Sequence, residues 1–302
     1  MTGFSYQEYL AAKKSLDDRS LNRHVYETME RHLRQPTMEN PLRILEIGSG
    51  IGTMIERLVD RKLFTSAHYT AIDLDPRSTE AAKHRLENFA KDARLDFAQP
   101  DSDQLTLRKY NATTTIQFVT GDAVPLIRGN RLREDYDLVI AHAILDILDI
   151  HSVVPELLQL LAPDGLYYFT LNYDGVTRFL PIIDRDLDKK IYHAYHVSMD
   201  KESHRTGSQT GWRLLEYLSP ETNLLAAGSS DWIVHPLSGE YPEDEQCFLQ
   251  CILDTINTAL TDKKYFNQDQ FARWIDKRYE QLENHELIYF AHQLDFCGST
   301  PE

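Results

Sequence analysis

From residue 42 onward the chain places short apolar runs between helix-length stretches. A parallel sheet wrapped by helices satisfies that pattern, and an all-β or all-helical fold does not. The apolar runs at 42–47, 68–73, 115–120, 136–142 and 165–172 read as strands, with helices between them at about 52–61, 77–91, 122–128 and 152–162. The polar stretch 92–114, which holds Pro100, Asp101 and Asp103, is expected to be a surface insertion before the third strand. Residues 5–35 carry a loose apolar stripe at helical spacing (Tyr9, Leu16, Val25, Met29) and are assigned to a helical cap spanning 1–40. Past 172 the pattern predicts a helix at 178–200, a polar loop at 203–211, a helix at 212–227 and a strand at 229–234. Two amphipathic helices at about 243–261 and 268–284 and a last strand at 287–291 complete it.

Bulk properties narrow the function class. The 302 residues carry a formal net charge of -15, and no Lys/Arg-dense segment offers the cationic face that binding duplex phosphates requires. No run approaches the roughly 18–20 apolar residues of a membrane span, and the first residues lack a basic segment followed by an apolar one. A cytoplasmic protein acting on small molecules, with no nucleic-acid or membrane partner, is the expectation. Three cysteines (Cys247, Cys251, Cys297) show no paired spacing and argue against a disulfide framework.

The first strand runs into Glu46-Ile47-Gly48-Ser49-Gly50-Ile51-Gly52 and a helix follows at once. Alternate glycines make a tight turn and bare backbone, and the helix start leaves amide donors facing the same space. A dinucleotide fingerprint needs a glycine at 53, where Thr53 stands. Glu46, two residues before the first glycine, would repel a pyrophosphate but attract an ammonium or sulfonium. The ligand inferred is a nucleoside carrying positive charge, S-adenosylmethionine. Asp73, at the tip of the second strand beside Leu74, can accept from both ribose hydroxyls. Gly121-Asp122-Ala123 closes the third strand, where a carboxylate can accept from an adenine amino group and Ala123 can contact the ring; Asp122 could equally be a helix cap.

Leu45 to Gly52, Ala71-Ile72-Asp73, Gly121-Asp122-Ala123, Tyr136-Asp137-Leu138-Val139-Ile140 and Leu161-Ala162-Pro163-Asp164-Gly165 together resemble the successive motifs of class I S-adenosylmethionine-dependent methyltransferases. The resemblance covers about 40–172. It implies a doubly wound α/β domain over 41–302, with a mostly parallel seven-stranded sheet whose last strand is antiparallel. It also implies Gly48, Ser49, Gly50 and Gly52 against the methionine portion, Asp73 on the ribose and Asp122 on the adenine. The chain lacks the [Asp/Asn]-Pro-Pro-aromatic motif of base amino methylation and the Pro-Cys nucleophile of cytosine C5 chemistry.

Strand four delivers Ala141, His142 and Asp146 to the end of the sheet where the methyl group should lie. His142 is the candidate general base, and a lining or strand-capping His is the alternative. Asn172 and Tyr173, at the end of strand five, are further pocket candidates. Segments 173–211 and 236–286 leave from the same face and are expected to form a lid and the substrate pocket, or else a homodimer surface. In the N-terminal helix, Arg19 or Asn22 could reach the cofactor carboxylate or the acceptor, against a solvated face. His193 and His196, with His204, form a weak metal pattern, and no metal is expected. The function expected is methyl transfer to a small-molecule O or N acceptor by in-line displacement. The competitors are an aminopropyl transferase using acids such as Asp146 and Asp149, an NAD(P)-dependent oxidoreductase, and a cofactor-binding subunit without turnover.

Overall fold

The computed structural model describes the chain apart from residues 1–3, 64, 130–131, 133–134, 201–205, 264–265 and 302. Three short helices open it: α1 (Tyr6–Ala12), α2 (Lys14–Ser20) and α3 (Arg23–His32). Ser5 and Glu8 form a reciprocal capping box at the start of α1, and Asn22 caps α3. The winding then runs β1 (Leu42–Ile47), α4 (Thr53–Asp60), β2 (Ser66–Asp73), α5 (Pro76–Ala93), β3 (Asp96–Asp101), β4 (Gln104–Lys109), β5 (Ala112–Thr120), α6 (Ala123–Arg128) and β6 (Tyr136–His142). A single 3-10 turn at Leu145–Ile147 precedes α7 (Ile150–Leu158) and β7 (Leu161–Leu180). After these come α8 (Arg185–Met199), α9 (Thr210–Glu221), β8 (Asn223–Ser229), β9 (Trp232–Val234), α10 (Glu245–Leu260), α11 (Gln268–Glu283) and β10 (Ile288–Ser299).

One ten-stranded sheet organises the molecule in the order β3-β4-β5-β2-β1-β6-β7-β10-β8, with β9 on β10. Strands β5, β2, β1, β6 and β7 are mutually parallel, and β10 inserts antiparallel between β7 and β8. The α/β class, the parallel majority and the antiparallel last strand are as expected. Central β6 is buried at every position, as a strand covered by helices on both faces must be.

Three differences from the sequence-based expectation have local causes. The stretch 92–114 is largely a β-hairpin, β3–β4, added to the sheet edge, so the sheet has more than seven strands. Leu105 and Leu107 alternate into the core (1% and 2% exposed) within a polar surround that hid the period. Pro100 sits on outermost β3, where edge strands tolerate a missing amide. The sixth strand lies earlier than expected, at β8, because Leu224–Ala227 pair with β10 rather than extending α9, so sheet contact overrides helix propensity. Strand β7 also runs on to Leu180, where a helix was expected from 178.

That extension builds a second storey. Beyond Tyr173, β7 still pairs with the first half of β10, which pairs with β9. Around them Ile191, Phe248, Leu253, Trp274 and Phe179 form a hydrophobic cluster with Leu16 of α2, apart from the two clusters flanking the sheet. Buried Arg278 and Asp188 tie α11 to α8 at 3.0 Å, and Trp274 Nε1 donates to the same carboxylate at 2.5 Å. Among the described residues no helix is long and apolar enough to cross a membrane.

Candidate active site

The turn after β1 is built on left-handed backbone. Gly48 has φ +65°, and a Cβ there would lie 2.6 Å from Cγ1 of Ile144, so this position must be glycine on both counts. The turn is held to β2 by Ser49 N donating to Ile72 O at 2.9 Å and Gly50 N donating to Asp73 Oδ2 at 2.8 Å. The second oxygen of Asp73 accepts from Asp75 N at 2.9 Å. Burial raises the Asp73 pKa above its ordinary value, while the two amides pull it down. Each carboxylate oxygen carries one of these bonds and keeps an acceptor position to spare.

Above the turn lies a cavity of about 230 Å³. From the sheet it is lined by Glu46, Gly48, Ser49, Gly50, Asp73 and His142, with Asp146 and Tyr173 beside them. These eight sequence candidates, drawn from four strand ends, are brought together. The helices above contribute Tyr6, Tyr9, Leu10 and Lys13 from the N-terminal segment, Tyr195 and Met199 from α8, and Ile252 from α10. Trp232 of β9 and Tyr289 of β10 complete the wall.

The remaining candidates lie elsewhere. Gly52 starts α4 with φ +76° and packs on Ala82, and Ala141 is fully buried in the sheet. Gly121 N bonds Asp73 O at 2.8 Å, which sets the end of β5 beside that of β2. Asp122 caps α6 by accepting from Val124 N at 3.0 Å, and Ala123 is the first residue of that helix. Leu74 is 71% exposed and outside the cavity wall. Arg19 does not reach the site: its guanidinium pairs with buried Glu245 and donates to Ile233 O. Asn22 is consumed by capping α3 and by Ser229 O at 2.8 Å, and Asn172 donates to Leu294 O at 2.9 Å within the sheet.

Burial and neighbouring charge alter the acidity of several groups in and behind the wall. Glu46 is buried against the Tyr69 hydroxyl at 2.7 Å, and burial pushes its pKa up to about 7. Its expected attraction for a cation is thereby reduced until a cation arrives. Burial likewise raises Asp146 to about 7. His142 is pushed down to about 4, chiefly by burial and only partly offset by Asp17. Its Nδ1 contacts Thr170 Oγ1 at 2.7 Å, and its Nε2, without a hydrogen bond of good geometry, lies 3.5 Å from Asp17 Oδ2. Asp17 itself is held down to about 2 by Lys13 at 3.1 Å and by His142 and Arg57, against the opposing effect of burial. It also accepts from Trp232 Nε1 at 3.0 Å.

The N-terminal segment was expected to reach the site through Arg19 or Asn22; Tyr6, Tyr9, Leu10 and Lys13 are the residues that line it. Gln7 Nε2 reaches Asp75 and Ser78 at the start of α5, which lays α1 across the glycine turn, with Leu10 Cδ1 3.1 Å from where a Gly50 Cβ would stand. The available signal was the Ser5/Glu8 capping box with Tyr6 and Tyr9 one turn apart. His196 Nε2 contacts the Tyr173 hydroxyl at 2.7 Å, and His204 lies outside the described residues. Among the described residues no group of three or more His, Cys, Asp or Glu is placed to hold a metal, and the three cysteines are free. Asp149, the second acid an aminopropyl transferase would need, caps α7 by accepting from His151 N.

Comparison with known proteins agrees with this geometry. Residues 45–167 match the family described as "Methyltransferase domain". A malonyl-(acyl-carrier protein) O-methyltransferase of Halalkalibacterium halodurans is 25% identical over 138 residues, 45% of this chain and 41% of that protein. An arsenite methyltransferase of Rattus norvegicus is 28% identical over 135 residues, 43% of this chain and 31% of that protein. The chain thus spans less than half the length of these curated relatives. A solved structure from Anaeromyxobacter dehalogenans, described as a type II methyltransferase, shares the fold at TM-score 0.50 and 14% identity, covering 93% of this chain and 98% of its own. Residues 45–167 of this chain are thus similar to the methyltransferases that use S-adenosylmethionine.

Proposed function

We propose that the protein transfers a methyl group from S-adenosylmethionine to an O or N atom of a small molecule. The observation that carries this is the joining of the left-handed Gly48–Gly50 turn to Asp73 under an acidic, aromatic cavity. The residues suit that cofactor: Asp73 has acceptor capacity for a ribose diol, the turn admits close approach of a ligand, and Glu46 favours a cation. The cofactor supplies a carbon already activated by its sulfonium, so the chain's task is alignment and exclusion of water. Tyr6, Tyr9 and Leu10 cover the turn for the second purpose. The bulk charge of -15 supports a small-molecule acceptor over nucleic acid, and a cytoplasmic setting is part of the same proposal.

His142 is assigned to positioning rather than to proton abstraction. An imidazole held near pKa 4 is a weak base at neutral pH. With Asp17 ionised, the favoured tautomer directs the Nε2 proton at that carboxylate and leaves Nδ1 to accept from Thr170. His142 then ties the end of β6 to α2. His142→Ala should weaken nucleoside binding while single-turnover methyl transfer at saturation stays within about tenfold. A loss of ~10²–10⁴ in rate with affinity intact would restore the base role.

Calorimetric titration tests the cofactor assignment: S-adenosylmethionine and S-adenosylhomocysteine should bind at micromolar concentration and NAD should not. Tight NAD binding with no response to either sulfur nucleoside would overturn it. Asp73→Ala should cost ~1.5–3 kcal/mol of that affinity, the scale of lost charge-assisted hydrogen bonds. Unchanged affinity would remove Asp73 from the site.

A further inference from the structure

Away from the glycine turn the cavity wall has a chemistry of its own. The side chains of Tyr9, Tyr173, Tyr195 and Tyr289 close it from α1, β7, α8 and β10. Asp146 opens into this aromatic part from the 3-10 turn after β6. Among the described residues its carboxylate has one hydrogen bond, from Tyr173 N at a long 3.4 Å. A half-buried carboxylate so sparsely hydrogen-bonded is costly unless a cation joins it, and burial raises its pKa to about 7. Among the described residues Lys13 is the cation whose charge reaches Asp146, and it is paired with Asp17 at 3.1 Å and lies 5.6 Å from the Trp232 ring. Tyrosine faces around an acid are a setting in which ammonium groups are held.

The cavity also has an outlet. Tyr6, Tyr9, Tyr195 and Ile252 are shared with a second cavity of about 540 Å³ between α1 and α10, which continues past Cys251, Thr255 and Ala259. Asp254 at its side is engaged by Gln250 and the Tyr279 hydroxyl. What enters this groove from the inner cavity therefore meets mainly apolar surface.

We infer that the acceptor is an amine with an apolar tail, its nitrogen at Asp146 beneath the tyrosines and its tail in the α1–α10 groove. This rests on the methyltransferase assignment. The bound ammonium gives one proton to the Asp146 carboxylate. Its nitrogen lone pair then forms the bond to the methyl carbon as the carbon–sulfur bond breaks and the electron pair stays on sulfur. The product is an N-methylammonium, whose charge Asp146 again balances once its own proton has passed to solvent.

The test is calorimetric titration of unbranched primary amines of four to eight carbons, with alcohols and carboxylates of equal length as controls. Titrations are run on the full chain with and without S-adenosylhomocysteine. Amines should bind at least tenfold tighter than either control, with affinity rising two- to fourfold per added methylene as the groove fills. Asp146→Asn should weaken amines at least tenfold while leaving alcohols and S-adenosylhomocysteine unaffected, the latter showing that the variant is folded. Tyr195→Leu should lower amine affinity severalfold by removing the ring between cavity and groove. Equal binding of alcohols or carboxylates, or amine affinity indifferent to Asp146→Asn, would overturn the inference. If S-adenosylhomocysteine binds but amines are not preferred, this inference falls and the methyltransferase assignment stands. If amines depend on Asp146 but the nucleoside does not bind, the assignment falls and the amine site remains.

Discussion

Gly48→Ala should destabilise the protein by about 2–5 kcal/mol and abolish measurable nucleoside binding. Two costs add. The backbone at φ +65° is one that L side chains rarely adopt, and the new methyl would stand 2.6 Å from Ile144 Cγ1 and 2.9 Å from its Cβ. Ile144 lies just beyond β6 and lines the same cavity, so relief of the clash moves the cavity wall. Gly239→Ala is the matched control: φ is +90° there, but nothing lies within 4 Å of the added Cβ, so only the backbone cost applies. Thermal unfolding of both variants, with calorimetry on the first, separates the contributions. A Gly48→Ala protein with wild-type melting and affinity would contradict the described turn.

Asp188→Ala should cost about 3–5 kcal/mol, because it leaves the Arg278 guanidinium buried without its counter-charge. Arg278 keeps Pro181 O at 2.6 Å and Gln281 Oε1 at 2.9 Å, which satisfy hydrogen bonds but not the charge. Trp274 Nε1 loses its acceptor as well. Nucleoside and acceptor binding should weaken with stability, since α8 carries both Asp188 and the cavity residues Tyr195 and Met199. Adding Arg278→Met to Asp188→Ala should recover part of the loss, as replacing both members of a buried pair does. Urea unfolding of the three proteins measures this, and a single-variant loss under ~1 kcal/mol would remove the pair from the stability of the upper storey.

The sheet and the glycine turn beside Asp73 were legible because their signals are local. Gly48 to Gly52 and Asp73 each sit at a strand end within a few residues of the feature that identifies them. The upper storey was not legible, because its contacts join distant segments. Asp17 meets His142 and Trp232, and Arg19 meets Glu245, across separations that no periodicity reports. Arg19, expected at the site, turns instead to Glu245 for a definable reason. Lys13 both ends α1 and begins α2, so helical phase carried through 5–35 as one helix misplaces the side chains after it. Leu224–Ala227 misled differently, good helix formers taken into β8 by the partner strand. Asp122 carried two meanings in the sequence, and its capping of α6 through one carboxylate oxygen is compatible with both.

The long pairing of β7 with β10 bears on how anything gets in. From Leu166–Ser299 to Leu180–Ile288 the two strands run as one ladder, interrupted only by irregularities in register, so the roof over the cavity and the floor beneath it share a backbone. Such a roof cannot swing clear without breaking main-chain hydrogen bonds. Among the described residues the N-terminal helices share no main-chain ladder with this frame and are held by bonds that involve side chains, as at Gln7–Asp75, Asp17–Trp232, Arg19–Glu245 and Asn22–Asp295. A displacement of these helices would leave the β7–β10 ladder intact.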